Sequence, residues 1–193
     1  AVISNEKIIN DFDKPVISID NTRKAASIIS SRFHDNPSKD LTIIGITGTN
    51  GKTTTAYLLK ECLDYAGFKT AQIGTTGIIA TGYKQEKTLT TPDALTIQKL
   101  LKNLVNDGFS HVVMEVSSHA LHQLRVHNVH FDVAIFTNLT PEHLDYHKTM
   151  ENYFKAKSTL FNLLNKKNGK AVINYDDDYG KKLASKLNCD VVL

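Results

Sequence analysis

Apolar residues fall into two alternating patterns along this chain. Continuous, β-branched runs occupy residues 41–46, 111–116 and 131–136, with shorter ones at 70–74, 170–174 and from Val191 onward. Runs of this length predict strands buried on both faces. Between them the pattern turns helical. Ala56-Tyr57-Leu58-Leu59-Lys60 belongs to a helix running to about Tyr65, with Gly67 as its stop. Asp93 opens another, in which Leu95, Leu100, Leu101, Leu104 and Val105 fall roughly on one face before Gly108 ends it. Further helices are predicted over 150–164 and 179–187, and residues 77–83 read as a small hairpin or irregular strand. Strand and helix in alternation predict an α/β fold, a mostly parallel sheet with helices on both faces.

The amino-terminal stretch is less regular. Residues 1–21 are mixed, with a β-like run at Val16-Ile17-Ser18-Ile19, and Thr22 is placed to cap a helix reaching about Phe33. Pro and small polar residues cluster at 34–40, which reads as a linker with a boundary near Pro37. The ends, at Ala1 and in the apolar run Val191-Val192-Leu193, read as cuts.

Composition adds little to this picture. At 193 residues the chain can bury a real core, and its net charge of +3 is mild. No apolar run approaches the roughly 18 residues of a membrane span, and no signal-peptide pattern is present. No basic stripe interleaved with aromatics points to nucleic acid. Cys62 and Cys189 lack metal or redox spacing and read as packing thiols of a reducing, cytoplasmic protein.

Candidate chemistry sits at the strand ends, where open α/β sheets collect ligands. After the first long strand comes Gly45-Ile46-Thr47-Gly48-Thr49-Asn50-Gly51-Lys52-Thr53-Thr54-Thr55. Strand, glycine-rich turn and helix is the order of a phosphate-binding loop, whose backbone N–H groups form a nest for phosphate oxygens. Lys52 would reach the β- and γ-phosphates and the Thr53 hydroxyl would ligate Mg²⁺. The general pattern has Gly where this chain has Ile46, and an ordinary glycine-rich turn is the alternative that the flanking strand and helix argue against. After the second long strand comes Glu115, where phosphate-loop enzymes place a carboxylate for Mg²⁺. Alone it fits a structural glutamate equally well. After the third come residues 137–147, in which His143 could be a second metal ligand but alone fits a surface histidine better.

The string Thr47-Gly48-Thr49-Asn50-Gly51-Lys52-Thr53 resembles the variant loop of the Mur ligases and the related folylpolyglutamate synthases. Glu115-Val116-Ser117-Ser118-His119-Ala120-Leu121, followed by Gln123 and Arg125, is similar to the substrate-binding segment of the UDP-N-acetylmuramoyl-tripeptide synthetases within that family. Thr90-Thr91-Pro92-Asp93 resembles the element that holds the muramoyl-peptide. Residues 137–147 resemble a second signature, with Glu142 where the family usually has Asp. Lys157, in Tyr153-Phe154-Lys155-Ala156-Lys157, matches the lysine the family carries as a carbamate; spacing alone also allows an exposed lysine on an amphipathic helix.

The resemblance implies a phosphate-loop NTPase-like central domain over 37–193, incomplete, preceded over 1–36 by the tail of a UDP-binding domain and its linker, with the C-terminal domain absent. It implies an ATP-dependent, ADP-forming ligase of peptidoglycan synthesis that joins a diamino acid to a UDP-N-acetylmuramoyl-dipeptide through an acyl phosphate. Gly48, Thr49, Asn50, Gly51, Lys52, Thr53, Thr54 and Asn138 would hold ATP. Thr90, Thr91, Ser117, Gln123 and Arg125 would hold the muramoyl substrate. Thr53 and Glu115 would hold one Mg²⁺, His143 and carbamylated Lys157 a second. Lys52, His143 and Lys157 carry the catalytic expectation. This chain alone is expected to be weak or inactive.

Three rival readings meet the same residues. The Glu-Val-Ser-Ser-His and Thr-Thr-Pro elements argue against a folylpolyglutamate synthase-like ligase. Intact metal ligands argue against a non-catalytic, partner-dependent nucleotide-binding subunit. A generic kinase or GTPase lacks support, since no Asn-Lys-x-Asp base-reading motif appears.

Overall fold

The computed structural model describes residues 2–4, 15–84 and 89–193. Much of the expected amino-terminal tail, residues 5–14, lies outside the described residues. In chain order the strands are β1 (Val2–Ser4), β2 (Val16–Ser18), β3 (Thr42–Thr47), β4 (Thr70–Gly74), β5 (Gly77–Ile79), β6 (His111–Glu115), β7 (Val133–Phe136), β8 (Lys170–Ile173) and β9 (Asp190–Val192). The α-helices are α1 (Thr22–Phe33), α2 (Lys52–Tyr65), α3 (Ala94–Asn106), α4 (Ser118–His122), α5 (Leu144–His147), α6 (Met150–Ser158) and α7 (Asp178–Ala184).

Strands β3–β9 form one sheet in the order β5-β4-β6-β3-β7-β8-β9, parallel except for β5, which returns antiparallel on β4. The expected mostly parallel α/β sheet is therefore what the chain builds. Its logic is visible in β3. Ile43 enters the larger core, beneath α3, α4 and α6, while Ile44 and Ile46 enter the smaller core beneath α2. Side chains alternate along a strand, so a run apolar at nearly every position supplies both faces at once. From β3 the chain first builds β4 and β6 on one side, then crosses to β7 on the other. The carboxyl end of β3 is thus a topological switch point, where a crevice opens between diverging connections.

Several elements differ from the sequence expectation for local reasons. The helix expected over 150–164 ends at Ser158 and tightens into a 3₁₀ turn, Thr159–Leu163. Ser158 Oγ donates to Phe154 O at 2.8 Å and Thr159 Oγ1 to Lys155 O at 3.1 Å, so hydroxyls compete with the backbone ladder there. The tighter turn buries Leu160 and Phe161. Asn21, not Thr22, caps α1, its side chain accepting from Lys24 N. Leu95 is 60% exposed, and α3 buries Ala94, Ile97 and Gln98 beside the expected Leu100, Leu101 and Leu104. Cys62 is exposed on α2 and so is no packing thiol, whereas Cys189 packs against the core. In the 34–40 segment Pro37 and Ser38 are buried, and Ser38 Oγ accepts from His130 N at 3.2 Å.

Candidate active site

Three strand ends meet at the switch point. After β3 the loop turns through Gly48 (φ +151°) and Gly51 (φ +84°), and Gly51 caps α2. Gly48 is required twice over, because its backbone is left-handed and a Cβ there would overlap Thr137 Oγ1 after β7. The loop is pinned to that neighbouring strand end. Asn50 N donates to Asn138 Oδ1 at 2.9 Å, Asn138 Nδ2 returns to Asn50 O at 3.2 Å, and Thr137 Oγ1 donates to Asn50 O at 2.6 Å. Asn138 thus acts on the loop backbone.

Lys52 folds back over this loop, its Nζ donating to Gly48 O at 2.9 Å and Thr49 O at 2.7 Å. Burial lowers its pKa, and the charges of Glu115 and Glu142 partly restore it. Thr53 Oγ1 donates to Glu115 Oε2 at 2.8 Å. Glu115, fully buried at the end of β6, also accepts from Thr75 N at 3.0 Å and Thr75 Oγ1 at 3.2 Å. Gly74 makes room for it, since a Cβ there would overlap the carboxylate. Among the described residues no ion pair includes Glu115. A buried carboxylate held by hydroxyl and amide, with no cation salt-bridged to it, is suited to a hard divalent ion.

Lys157 is not the exposed lysine that its spacing also allowed. It is 2% exposed, its Nζ donates to Gly48 O at 2.6 Å, and it lies 4.6 Å over the Tyr153 ring. Burial, reinforced by the nearby Lys52 charge, brings its pKa down to about 7. Much of it is therefore neutral amine at physiological pH, the form that adds CO₂. Lys155, two residues away, is exposed.

His143 sits in a left-handed turn (φ +54°) ahead of α5, its Nε2 3.6 Å from Glu142 Oε2. Its ring packs against His119, which packs against Tyr146 and His147. His147 is buried, 3.0 Å from Ser118 Oγ; burial and the neighbouring His119 and His122 bring its pKa down to about 4. Among the described residues no three His, Cys, Asp or Glu side chains converge on a metal position. The candidate donors are instead mixed, hydroxyl, carboxylate, imidazole and lysine, around one cavity of about 440 Å³.

That cavity is lined by Thr49 to Thr54, Thr90, Glu115, Ser117, His143 and Lys157, so it gathers the expected metal residues and most of the expected nucleotide residues, whereas Gly48 and Asn138 are not in its lining and bond to Lys157 and Asn50. Three expected substrate residues form a frame beside it. Arg125 Nη1 donates to Thr91 O at 2.8 Å, and its Nε and Nη2 grip Gln123 Oε1 at 3.1 and 2.7 Å. Thr91 Oγ1 in turn donates to Glu115 O at 2.9 Å and accepts from Ser117 N at 3.0 Å. Sequence reasoning missed Thr75, Glu142 as a partner, and Tyr153. Thr75 follows the end of β4 and was findable by inspecting every strand end. Tyr153 lies one helical turn from Lys157, a spacing that places the two on one face.

With this geometry in hand, comparison with known proteins is direct. Residues 46–192 match the Mur ligase middle domain. The chain is 48% identical over 189 residues to the UDP-N-acetylmuramoyl-L-alanyl-D-glutamate–2,6-diaminopimelate ligase of Clostridium botulinum, covering 96% of this chain and 38% of that protein. The ligase of the same name from Corynebacterium glutamicum is 49% identical over 173 residues, covering 89% of this chain and 34% of that protein. A solved structure of such a diaminopimelate ligase superposes with a TM-score of 0.81 at 31% identity, over 100% of this chain and 39% of the other. A folylpolyglutamate synthase from Mycobacterium tuberculosis shares the fold, with a TM-score of 0.68 at 13% identity, over 87% of this chain and 46% of the other. The chain thus spans little more than a third of the length of the relatives it matches. From the loop at β3 to the last strand, it belongs to the Mur ligase middle-domain family.

Proposed function

We propose that these residues are the nucleotide-binding core of a longer, cytoplasmic ligase that adds 2,6-diaminopimelate to UDP-N-acetylmuramoyl-L-alanyl-D-glutamate at the expense of ATP. The observation that carries the reading is the buried Lys157, its Nζ against the phosphate-loop carbonyl of Gly48 and in one cavity with Lys52, Thr53 and Glu115. A structural lysine is poorly served by such a place, because its ammonium would be buried beside Lys52 with no carboxylate salt-bridged to it among the described residues. A carbamate reverses the sign of the group. It supplies an anionic oxygen ligand and keeps one N–H, enough for the bond to Gly48.

Each set of residues then has one task. The loop amides and Lys52 receive the phosphates, with Asn138 fixing the loop. Thr53 and Glu115 would hold one Mg²⁺, and His143 with carbamylated Lys157 a second; the ions supply charge neutralisation for phosphoryl transfer. Thr90, Thr91, Ser117, Gln123 and Arg125 would orient the dipeptide so that its carboxylate oxygen attacks the γ-phosphorus in line. The phosphorus–oxygen bond to ADP breaks as the acyl phosphate forms. An amino group then attacks the acyl carbon, phosphate leaves with the carbon–oxygen bonding pair, and the amine gives up a proton. Most of the rate enhancement comes from positioning and from cationic groups aimed at the transferring oxygens.

The test is phosphate release by the full-length protein given ATP, Mg²⁺, the UDP-linked dipeptide and a panel of amino acids. Release that requires both the dipeptide and diaminopimelate is expected. Release with folate and glutamate, or none with any pair, would overturn the reading.

A further inference from the structure

Tyr153 is the largest side chain wholly buried at the candidate site, and no role assigned above uses it. It is 0% exposed, yet it lines the cavity. Three separate segments meet on this one residue. Its hydroxyl lies 3.3 Å from Thr49 Oγ1 of the phosphate loop and 3.5 Å from Glu142 Oε2, beside His143. The face of its ring lies 4.6 Å under Lys157 Nζ, and the His147 ring packs 5.1 Å away on α5.

A phenylalanine would fill the same volume and present the same face to Lys157. What it would lack is the hydroxyl. Thr49 Oγ1 already donates to Thr140 O at 3.2 Å and accepts from Thr140 N at 3.0 Å, so the loop is tied to the backbone after β7 without Tyr153. With the Thr49 proton given to Thr140 O, the single Tyr153 proton is shared between Thr49 Oγ1 and Glu142 Oε2, which places the hydroxyl between the loop and the turn that presents His143.

We propose that Tyr153 is a positioning residue that couples nucleotide binding to the His143–Lys157 side of the site: its hydroxyl registers Thr49 against Glu142, and its ring sets the approach of Lys157 to Gly48. This rests on the ligase reading for its catalytic consequence, but not for its effect on nucleotide affinity. The two halves of the side chain separate the two effects. Tyr153→Phe removes one shared hydrogen bond and keeps the ring, so affinity for ATP falls about threefold to tenfold with kcat little changed. Tyr153→Leu removes the platform under Lys157, so kcat falls as well.

The experiment uses the full-length protein with Tyr153→Phe, Tyr153→Leu, Glu142→Ala and the Phe/Ala double variant. Three quantities are read: the Kd of a non-hydrolysable ATP analogue with Mg²⁺, KM against kcat for phosphate release, and the thermal midpoint. The expected result is a weaker analogue Kd in Tyr153→Phe at a near-unchanged midpoint, and no further loss when Tyr153→Phe is added to Glu142→Ala, since the hydroxyl then has no Glu142 left to reach. Unchanged Kd and KM in Tyr153→Phe, or additive losses in the double variant, overturn the proposal even if Tyr153→Leu does not fold. A wild-type protein that binds the analogue but joins no amino acid sinks the ligase reading while leaving the Kd test of Tyr153 in force. A wild-type protein that binds no nucleotide overturns both.

Discussion

Two regions of this molecule bury the opposite of what their sequence pattern advertises. At the carboxyl edge of β3, β6 and β7, the buried groups are polar or charged: Thr49, Glu115, Ser118, His147 and Lys157. In the amino-terminal unit, α1 turns Ser27, Ser30 and Ser31 inward and leaves Ile29 and Phe33 outside, while β1 and β2 expose Ile3, Val16 and Ile17. The first region holds its polar groups with partners far away in sequence, such as Thr53 with Glu115 and Lys157 with Gly48. The second joins the body through small residues, Ser27 Oγ accepting from Asn128 N at 3.1 Å and Ser31 Oγ 3.5 Å from Asn128 O. Burying charge is expensive, and a fold concentrates that cost where chemistry requires it. Serine packing costs little and allows close approach. Substitutions should therefore act very differently in the two places.

The largest effect is expected at Lys157. Lys157→Ala in the full-length protein should lower phosphate release by about a hundredfold or more, the scale of losing one preorganised electrostatic group. Short-chain carboxylic acids should restore part of the loss by entering the vacated space as anionic ligands. A fully active Lys157→Ala protein would remove the carbamate from the account. Next comes a residue at the boundary of the two regions. Asp93 caps α3, accepting from Leu95 N and Thr96 N at 3.0 Å each. Asp93→Ala should cost about 1 kcal/mol of stability by denaturant titration. Burial pushes the Asp93 carboxyl up, but the bonds from Thr96 and Leu95 outweigh it and leave its pKa lowered. A carboxylate depressed by folding stabilises above its unfolded pKa, and that contribution is lost as pH falls through the folded value. The gap between Asp93→Ala and wild type should therefore close in acid. The smallest effect is expected at Phe33, 80% exposed on α1, where Phe33→Ser should change stability by no more than about 0.5 kcal/mol. A loss of several kcal/mol there would mean that the amino-terminal unit carries more of the fold than its contacts suggest.

The same contrast explains what could be read from the sequence. The sheet was legible because continuous apolar strands have few alternatives, and the site because its glycines and Lys52 sit at a strand-to-helix turn. The burial of Lys157 was not, since helical periodicity names a face but cannot say what packs on it. Nor was the meeting of Tyr153 with Glu142 and with Thr49, the latter 104 residues away in sequence. The inward serines of α1 escaped because hydrophobic patterning looks for Ile and Phe at the buried positions. The helix break at Ser158 turned on two hydroxyls that bond back to the preceding turn.

The account rests on one claim, that the strand ends at β3 and β6 form a single Mg²⁺-nucleotide site. Calorimetric titration of the full-length protein with a non-hydrolysable ATP analogue tests it most directly, with and without Mg²⁺ and in the Lys52→Ala variant. Binding that weakens at least about tenfold without Mg²⁺, and again in Lys52→Ala at an unchanged thermal midpoint, is the predicted result. Equal affinity in Lys52→Ala, or binding indifferent to Mg²⁺, would contradict it.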